Sequence, residues 1–303
     1  MCMIEKYIAI AALARNCEDN LPGNIDRIEN LRKSFSNSIV VVYENDSTDR
    51  TPDILNRWSC EKKNVFVVSE HLTGNEYQSG LVSKNFPDKS ISRISKMVYL
   101  RNRLLTLLNE KGSFDYVLFI DIDLEWFSVD GLIETLTDAP EDWGAIVANG
   151  RAELVKKGNI RTIPFQYDDY AYLSLQKSIE SIGPGYFASF KKFYRSYVFN
   201  RFVKRNRFVP CGSAFGGIGL YKWDVISNLK YELVVPPKLT IFSACICEHI
   251  PFHNKIRKMG YSIYVSQSLI ATYYRKHMQQ CFKDWFYWNF PFFYTMIAIL
   301  FKR

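Results

Sequence analysis

The chain has 303 residues, of which 48% are apolar, 16% aromatic and 23% charged. This composition is typical of a globular protein with a large core, and it excludes collagen-like, low-complexity and disulfide-framework proteins. The formal net charge of +8 at pH 7 favours an anionic partner such as a nucleoside diphosphate, a lipid phosphate or a nucleic acid.

Strands and helices alternate through the first half of the chain. Apolar runs rich in β-branched residues predict four strands, at Tyr7–Leu13, Ser38–Tyr43, Val65–Ser69 and Tyr116–Asp121. Helical spacing predicts three helices between them, at Ile25–Ser34, Asp53–Ser59 and Ser95–Leu108. Strands that are almost wholly apolar and separated by helices indicate a parallel sheet that is covered on both faces.

The second half adds shorter apolar runs, which predict further strands at Gly144–Ala148, Ile218–Tyr221 and Ser262–Val265. We expect one α/β domain over residues 1–275, with a mostly parallel central sheet and helices on both faces, and an aromatic helical tail over residues 276–303. We read the apolar N-terminus as the first strand and not as a signal peptide. The seven cysteines form no C-x-x-C pair, so we expect reduced thiols in a cytoplasmic protein.

Polar residues directly follow three of the predicted strands. Arg15 follows the first strand, Glu44 and Asp46 follow the second, and Asp121 and Asp123 stand at the end of the fourth. Open parallel sheets bind their ligands at the carboxyl ends of the strands. We therefore expect these five side chains to converge on one crevice.

The Asp121-Ile122-Asp123 triplet is the most informative of these segments. In an extended chain the two carboxylates lie on one side and Ile122 on the other. Two carboxylates at an open edge suit Mn²⁺ or Mg²⁺, which can also hold a substrate diphosphate. The alternative is a solvated strand end, because a D-x-D triplet often occurs by chance.

The acidic turn, residues 44–49, and the helix before the D-x-D strand could hold a nucleotide. Glu44 and Asp46 could accept hydrogen bonds from a base and a ribose, although Asp49 or Thr51 could simply cap the next helix. Arg93 and Arg101, about two helical turns apart, could bind phosphate together with Arg15. The alternative for the arginines is a solvated charged face.

Late in the chain, histidines and a glutamate stand near a predicted helix start at Glu248. His249 and His253 have the spacing of zinc-binding helices, but Pro251 lies between them and argues against a zinc site. We expect Glu248 or His249 to handle an acceptor hydroxyl or a metal. His277, after the strand-like run from 269 to 274, is either a third metal ligand or a surface histidine.

Taken together, several segments resemble the nucleotide-sugar glycosyltransferases of the GT-A type. The ENDSTD turn, Arg93–Asn102 and Phe114–Asp123 are similar to motifs of the fungal capsule-associated α-1,3-mannosyltransferase family. The segment VPCGSAFGGIGLY, Val209–Tyr221, resembles the small-residue acceptor segment of that family. The resemblance covers roughly residues 5 to 270. The chain has D-I-D where the fungal proteins more often have N-D-V, so its metal site is closer to the general GT-A form.

The resemblance implies transfer of a sugar from a GDP- or UDP-type donor to a glycan or lipid-linked acceptor. Asp123, assisted by Asp121, would hold Mn²⁺ or Mg²⁺ on the diphosphate. The acidic turn would position the nucleoside, Arg93 or Arg101 would contact phosphate, and Glu248 or His249 would meet the acceptor.

Two aromatic segments indicate surfaces for other partners. Phe190–Phe208 has seven basic residues and no acidic one, which is typical of a nucleic-acid surface, a membrane-facing helix or a charged helix over the acceptor site. Trp285–Phe301 is uncharged and interrupted by Pro291. We expect this tail to attach peripherally to the cytoplasmic face of a membrane; alternatively, it packs on the core or on a second subunit.

Two other functional classes remain as alternatives. A nucleotidyltransferase that makes sugar nucleotides shares the sheet and the carboxylates, but Ala14–Cys17 stands where that class has a glycine-rich loop. A non-catalytic basic protein that binds membranes or nucleic acid leaves Asp121 and Asp123 unexplained, because carboxylates repel such ligands. We therefore expect no nucleic-acid partner.

Overall fold

The computed structural model describes residues 3–79, 90–156, 159–182, 203–235 and 245–274. His277, the aromatic tail and most of the basic aromatic stretch lie outside the described residues. The predictions made for them, including the boundary at residue 275 and membrane attachment, therefore stay predictions.

The described residues include ten strands, six α-helices and a short 3-10 helix, Ile179–Ser181. The strands are β1 Ile4–Ala14, β2 Phe35–Asn45, β3 Val65–Glu70, β4 Tyr116–Asp121, β5 Trp126–Phe127, β6 Trp143–Lys156, β7 Asn159–Gln166, β8 Phe208–Cys211, β9 Ile218–Lys222 and β10 Ser262–Tyr274. The helices are α1 Leu21–Arg32, α2 Thr51–Glu61, α3 Ile91–Lys111, α4 Val129–Thr137, α5 Trp223–Ile226 and α6 His249–Lys258. This content confirms the predicted α/β fold class.

All ten strands belong to one sheet, whose main order is β3-β2-β1-β4-β9-β6-β10-β5. The first four strands are parallel, as predicted, and so are β6 and β10. Strand β9 lies between β4 and β6 and is antiparallel to both. Strands β5 and β8 pair antiparallel with β10, and β7 pairs antiparallel with β6. The sheet is therefore mixed beyond β4. An apolar strand buried on both faces does not reveal its direction in its sequence.

The two faces of the sheet carry separate cores. Along β1, Ile8 and Ile10 point into a cluster that includes residues of α1 and α2, while Ala9 and Ala11 point into a cluster with α3 and α6. Alternation of side chains in a strand divides them between the two faces in this way. Helices thus cover both faces, as predicted, and the carboxyl ends of β1, β2 and β4 are left at one edge.

Side-chain capping sets the start of two helices. The Ser90 hydroxyl accepts a hydrogen bond from the Arg93 amide at 3.3 Å, so α3 begins four residues before its predicted start. The Ser128 hydroxyl accepts from the Gly131 amide at 2.9 Å and begins α4, which was not predicted. Among the helices that the structure describes, none combines the length and the apolar character needed to cross a membrane.

Candidate active site

A cleft of about 410 Å³, here called the inner cleft, opens at the carboxyl ends of the parallel strands. The first half of α3 and the first turn of α6 form its other walls. Seven of the residues predicted from the sequence line it: Arg15, Arg93, Arg101, Asp121, Asp123, Glu248 and His249. Segments separated by more than two hundred residues in the chain therefore meet at one place.

A second, wider cleft of about 700 Å³, the outer cleft, lies beside the first. Its walls include Asp46 and the aromatic side chains of His71 and Tyr77. Three cationic residues line both clefts, namely Arg15, Arg93 and Lys96. The junction of the two clefts is therefore the most basic part of the site. The opposite end of the inner cleft, here called the inner end, is acidic.

The two acidic residues of the turn after β2 have different environments. Glu44 is buried, and its Oε1 accepts a hydrogen bond from the Ser47 amide at 2.9 Å, so it holds the turn together. Asp46 lines the outer cleft and pairs with His71 Nδ1 at 2.8 Å and Lys96 Nζ at 3.4 Å. Desolvation alone would raise the pKa of Asp46, but the Leu72 amide and the other hydrogen bonds outweigh it and lower the pKa to about 2.

The rest of the acidic turn connects the loops after β1 and β2. Asn16 donates its amide to the Ser47 hydroxyl at 3.1 Å, and its Oδ1 accepts from the Thr48 amide at 2.7 Å. Asp49 accepts from the Thr51 amide at 3.0 Å, at the start of α2. The N-cap of α2 is Arg50 and no side chain caps this helix, so the capping role considered for Asp49 or Thr51 is not observed. The bonds of Asn16 fix the loop that carries Arg15.

Backbone and side-chain contacts both position the D-x-D triplet. The Asp121 amide donates to the carbonyl oxygen of Gly217 at 2.8 Å, and Gly217 has a φ of +88°, which favours glycine. The Tyr273 hydroxyl donates to Asp123 Oδ2 at 3.1 Å. The glycine segment predicted as an acceptor platform therefore supports Asp121 directly.

The ionised forms of Asp121 and Asp123 are both energetically unfavourable. Burial raises the pKa of Asp121 to about 7; Arg101 opposes this shift, while the Asp123 carboxylate adds to it. Burial also raises the pKa of Asp123, although the hydrogen bond from Tyr273 opposes that shift. A cation bound between the two carboxylates would relieve this cost.

The carboxylate oxygens of Asp121 and Asp123 suit a divalent cation that also binds a substrate. In the part of the chain that the structure describes, no three His, Cys, Asp or Glu side chains are grouped closely enough to hold an ion. Mg²⁺ usually binds one or two carboxylates and completes its shell with water and substrate phosphates. Asp121 and Asp123 meet that requirement, whereas an all-protein cage is not formed by the described residues.

Tyr273 should tune the affinity of any divalent cation that Asp121 and Asp123 hold. Tyr273→Phe removes the hydrogen bond that orients Asp123, so we expect the Mn²⁺ concentration for half-maximal activity to rise about tenfold. The turnover at saturating Mn²⁺ should change little. Tyr264→Phe on the same strand is the matched control, since its hydroxyl donates to Asp142 away from both clefts. Equal Mn²⁺ requirements for the two variants would contradict this role.

Arg101 and Glu248 form a buried ion pair at the inner end. Arg101 Nε donates to Glu248 Oε1 at 2.9 Å, and the guanidinium lies 5.0 Å from the Phe215 ring centroid and 5.7 Å from that of Tyr231. Burial opposes the charge on Arg101, but Glu248, Tyr231 and Asp121 together outweigh it and raise the pKa. Arg101 is thus held by Glu248, whereas Arg93 is exposed at the junction.

The two histidines of α6 lie in a regular helix but have different surroundings. Pro251 is in the first turn, where a missing amide breaks no helical hydrogen bond. Both nitrogens of His253 lie 2.9 Å from hydroxyls, those of Ser213 and Tyr221. This network occupies His253, so His249 and His253 do not form a zinc pair.

His249 lines the inner cleft with its polar atoms unused. Its ring stacks on Phe215 with centroids 4.1 Å apart, and only 1% of the residue is exposed. Neither ring nitrogen has a hydrogen-bond partner. Burial, with Arg101 and His253 adding to it, lowers the pKa of His249 well below its usual value. The imidazole is therefore neutral, with neither nitrogen hydrogen-bonded, and its Nε2 lies 3.9 Å from Glu248 Oε1.

Several cleft residues were not among the predicted site residues, and they include Tyr167, Asp168 and Tyr273. The Tyr167 and Tyr273 rings stack at 4.7 Å and wall the cleft beside Asp123. Asp168 has a left-handed φ of +61°. Its pKa is raised well above the usual value by burial, and Asp121 and Glu248 add to the shift. The signal in the sequence is the Tyr-Asp-Asp-Tyr segment at 167–170, which resembles a tyrosine-aspartate element of the fungal family but lacks the arginine-aspartate pair that follows it there.

A comparison with protein families shows which family the chain belongs to. The model of the family described as Cryptococcal mannosyltransferase 1 matches residues 7–231. The chain belongs to this family. The match confirms the family predicted from the motifs. No curated protein matches the chain in sequence.

Several solved structures are similar to this member of the family at low sequence identity. The mannosyltransferase PcManGT from Pyrobaculum calidifontis, in complex with GDP-Man and Mn²⁺, has a TM-score of 0.48 and 13% identity over 99% of this chain and 66% of its own. S. aureus TarS 1–349 has a TM-score of 0.47 and 15% identity over 88% and 60%. Glucosyl-3-phosphoglycerate synthase from Mycobacterium tuberculosis, in complex with UDP, has a TM-score of 0.43 and 14% identity over 92% and 75%. The chain thus spans less than two thirds of the first two of these proteins.

Proposed function

We propose that the protein is a metal-dependent glycosyltransferase that moves a hexose from a nucleoside-diphosphate sugar to a glycan or lipid-linked acceptor. The junction of the two clefts carries this proposal. There Arg15, Arg93 and Lys96 lie beside Asp121 and Asp123. Basic side chains beside a carboxylate pair suit a diphosphate bound together with a divalent cation.

The two clefts allow a donor to be placed along the site. The nucleoside would occupy the outer cleft, between Asp46 and the aromatic rings of His71 and Tyr77. The diphosphate would lie at the junction, and the hexose would enter the inner cleft toward Glu248 and His249.

The chemistry of transfer requires a stabilised leaving group. A divalent cation, when bound, neutralises the charge that develops on the departing diphosphate. Asp121 and Asp123 would hold that cation, with Asp123 oriented by Tyr273. Arg93 is close enough to oppose the raised pKa of both aspartates, and it would donate hydrogen bonds to the phosphate oxygens.

The acceptor hydroxyl would meet Glu248 or His249 at the inner end. Glu248 shares one oxygen with Arg101, and its Oε2 accepts a weak bond from the Cys247 thiol at 3.6 Å. His249 has both nitrogens free and can bind a hydroxyl as donor or acceptor. A lipid-linked acceptor would fit the membrane attachment predicted for residues 276–303.

Nucleotide binding tests the proposed function. We expect one of GDP, UDP, CDP and dTDP to raise the melting temperature in the presence of Mn²⁺ and to lose this effect in EDTA. A ligand at one hundred times its dissociation constant adds ~2.7 kcal/mol to the stability of the folded state. Thermal denaturation of the whole chain with each nucleotide, with and without Mn²⁺, is the measurement. Unchanged curves for all four nucleotides would contradict the proposal and favour a non-catalytic binding protein.

A further inference from the structure

Two asparagines at the start of helix α1 bind the backbone around the D-x-D triplet. The Asn24 side-chain amide donates to the carbonyl oxygen of Ile122 at 2.8 Å and to that of Leu124 at 2.5 Å. One helical turn earlier, the Asn20 amide donates to the carbonyl oxygen of Asp123 at 2.7 Å. Residues four apart lie on the same face of a helix, so the two side chains act on one segment. Together they bind three consecutive carbonyl groups.

Asn24 stands where an apolar residue would complete the buried face of the helix. The buried positions of α1 are Leu21, Asn24, Ile28 and Leu31, so the asparagine interrupts an apolar stripe. Its Oδ1 accepts from Arg27 Nη1 at 3.3 Å, and its amide group serves both carbonyl groups. Packing does not require a polar side chain at this position, whereas the two carbonyl groups do.

The apolar side chains beside the aspartates attach the same segment to the core. Ile122 and Leu124 are fully buried in the core cluster that includes residues of α1. This packing fixes the depth of the segment, but it leaves the peptide planes free to rotate. The directions of the Asp121 and Asp123 side chains follow from those planes. The amides of α1 therefore control how the carboxylates are oriented and not whether the segment stays attached.

The segment before α1 makes similar contacts with the acidic turn and the start of α2. The Cys17 amide donates to the Thr51 hydroxyl at 2.8 Å, and the Glu18 amide donates to Asp49 Oδ2 at 3.1 Å. The same stretch of chain begins with the loop that carries Arg15. It thus connects a cationic residue of the junction to the D-x-D triplet, although no residue of α1 lines either cleft.

We propose that Asn24 is a positioning residue: together with Asn20, it fixes the peptide groups around the D-x-D triplet so that Asp121 and Asp123 present their carboxylates to one divalent cation. This inference rests on the proposed function, which assigns that cation to the two carboxylates. Groups that orient metal ligands without binding the metal typically change its affinity about 10–100-fold.

Binding of Mn²⁺ alone tests the inference. The electron paramagnetic resonance signal of free Mn²⁺ measures it without a nucleotide or an acceptor, and binding that is lost in Asp123→Ala belongs to the D-x-D triplet. Asn24→Leu keeps a similar volume and removes both hydrogen bonds, so it should raise the dissociation constant of that site about tenfold. Asn109→Leu is the matched control, because the Asn109 amide donates to the carbonyl oxygens of Leu105 and Ser227 outside both clefts. It should keep the wild-type affinity.

Asn20→Ala is a milder variant, because it removes one hydrogen bond at the partly exposed start of α1. We expect it to fold and to raise the dissociation constant about threefold. Wild-type affinity in folded Asn24→Leu, or in Asn20→Ala if Asn24→Leu does not fold, would overturn the inference. An equal loss of affinity in Asn109→Leu would also overturn it, since the effect would then reflect stability alone. Absence of Mn²⁺ binding in the wild type would contradict the proposed metal dependence and, with it, the inference.

Discussion

Asp123→Ala should reduce sugar transfer by at least about a thousandfold while the protein remains folded. The variant removes one of the two carboxylates that would hold the cation on the diphosphate, and such a cation stabilises the transition state by several kcal/mol. Burial raises the pKa of Asp123, so its carboxylate is not a source of stability when no cation is bound. We therefore expect a melting temperature equal to or above that of the wild type.

The measurement is the rate of nucleoside diphosphate release at saturating donor and Mn²⁺. Glu125→Ala is the control, because Glu125 is the next carboxylate along the chain and lines neither cleft. It should retain wild-type turnover. Wild-type turnover of Asp123→Ala in excess EDTA would exclude a metal role for the D-x-D triplet.

Strands β1 to β4 were predictable because each of them contains an apolar run that is visible in the sequence. The apolar run Tyr116–Asp121 gives β4 with its observed bounds, and β2 and β3 differ from prediction only at their ends. Strand β1 begins three residues before its predicted start. It includes Lys6, which pairs with Asp115 at 2.8 Å. That pairing partner is more than a hundred residues away, so the local pattern could not reveal it.

The second half was less predictable, because its strands depend on distant neighbours. β10 joins two predicted runs into one strand with a change of register between Val265 and Ile270. The four residues of β8 pair antiparallel with β10, and β5 has only two residues. Strands this short are stabilised by the sheet they join and leave little periodicity in the sequence.

The site shows the same division between local and long-range information. The positions of Asp121 and Asp123 followed from a strand end, and the structure places both in the inner cleft. Helical spacing related Arg93 to Arg101, but it did not indicate depth: Arg93 is exposed and Arg101 is buried. The burial of Arg101 depends on its contacts with Phe215 and Glu248, which are far away in the sequence. The left-handed backbone of Asp168 likewise has no sequence signature.

Arg101→Met should cost about 3–5 kcal/mol of the free energy of unfolding, because it leaves Glu248 buried without its partner. The side chains of this pair are 9% and 5% exposed, so water cannot replace the lost contact. The methionine would still pack against the Phe215 and Tyr231 rings, so the loss of apolar contacts should be the smaller part. Urea unfolding at neutral pH measures the change.

The same helix offers a matched control in Arg103, which pairs with Glu70 at 2.8 Å. There the side chains are 31% and 30% exposed, so Arg103→Met should cost at most about 1 kcal/mol. Adding Glu248→Gln to Arg101→Met should recover much of the loss, because it removes the uncompensated charge. Equal costs for Arg101→Met and Arg103→Met would show that the buried pair contributes no more than a surface one.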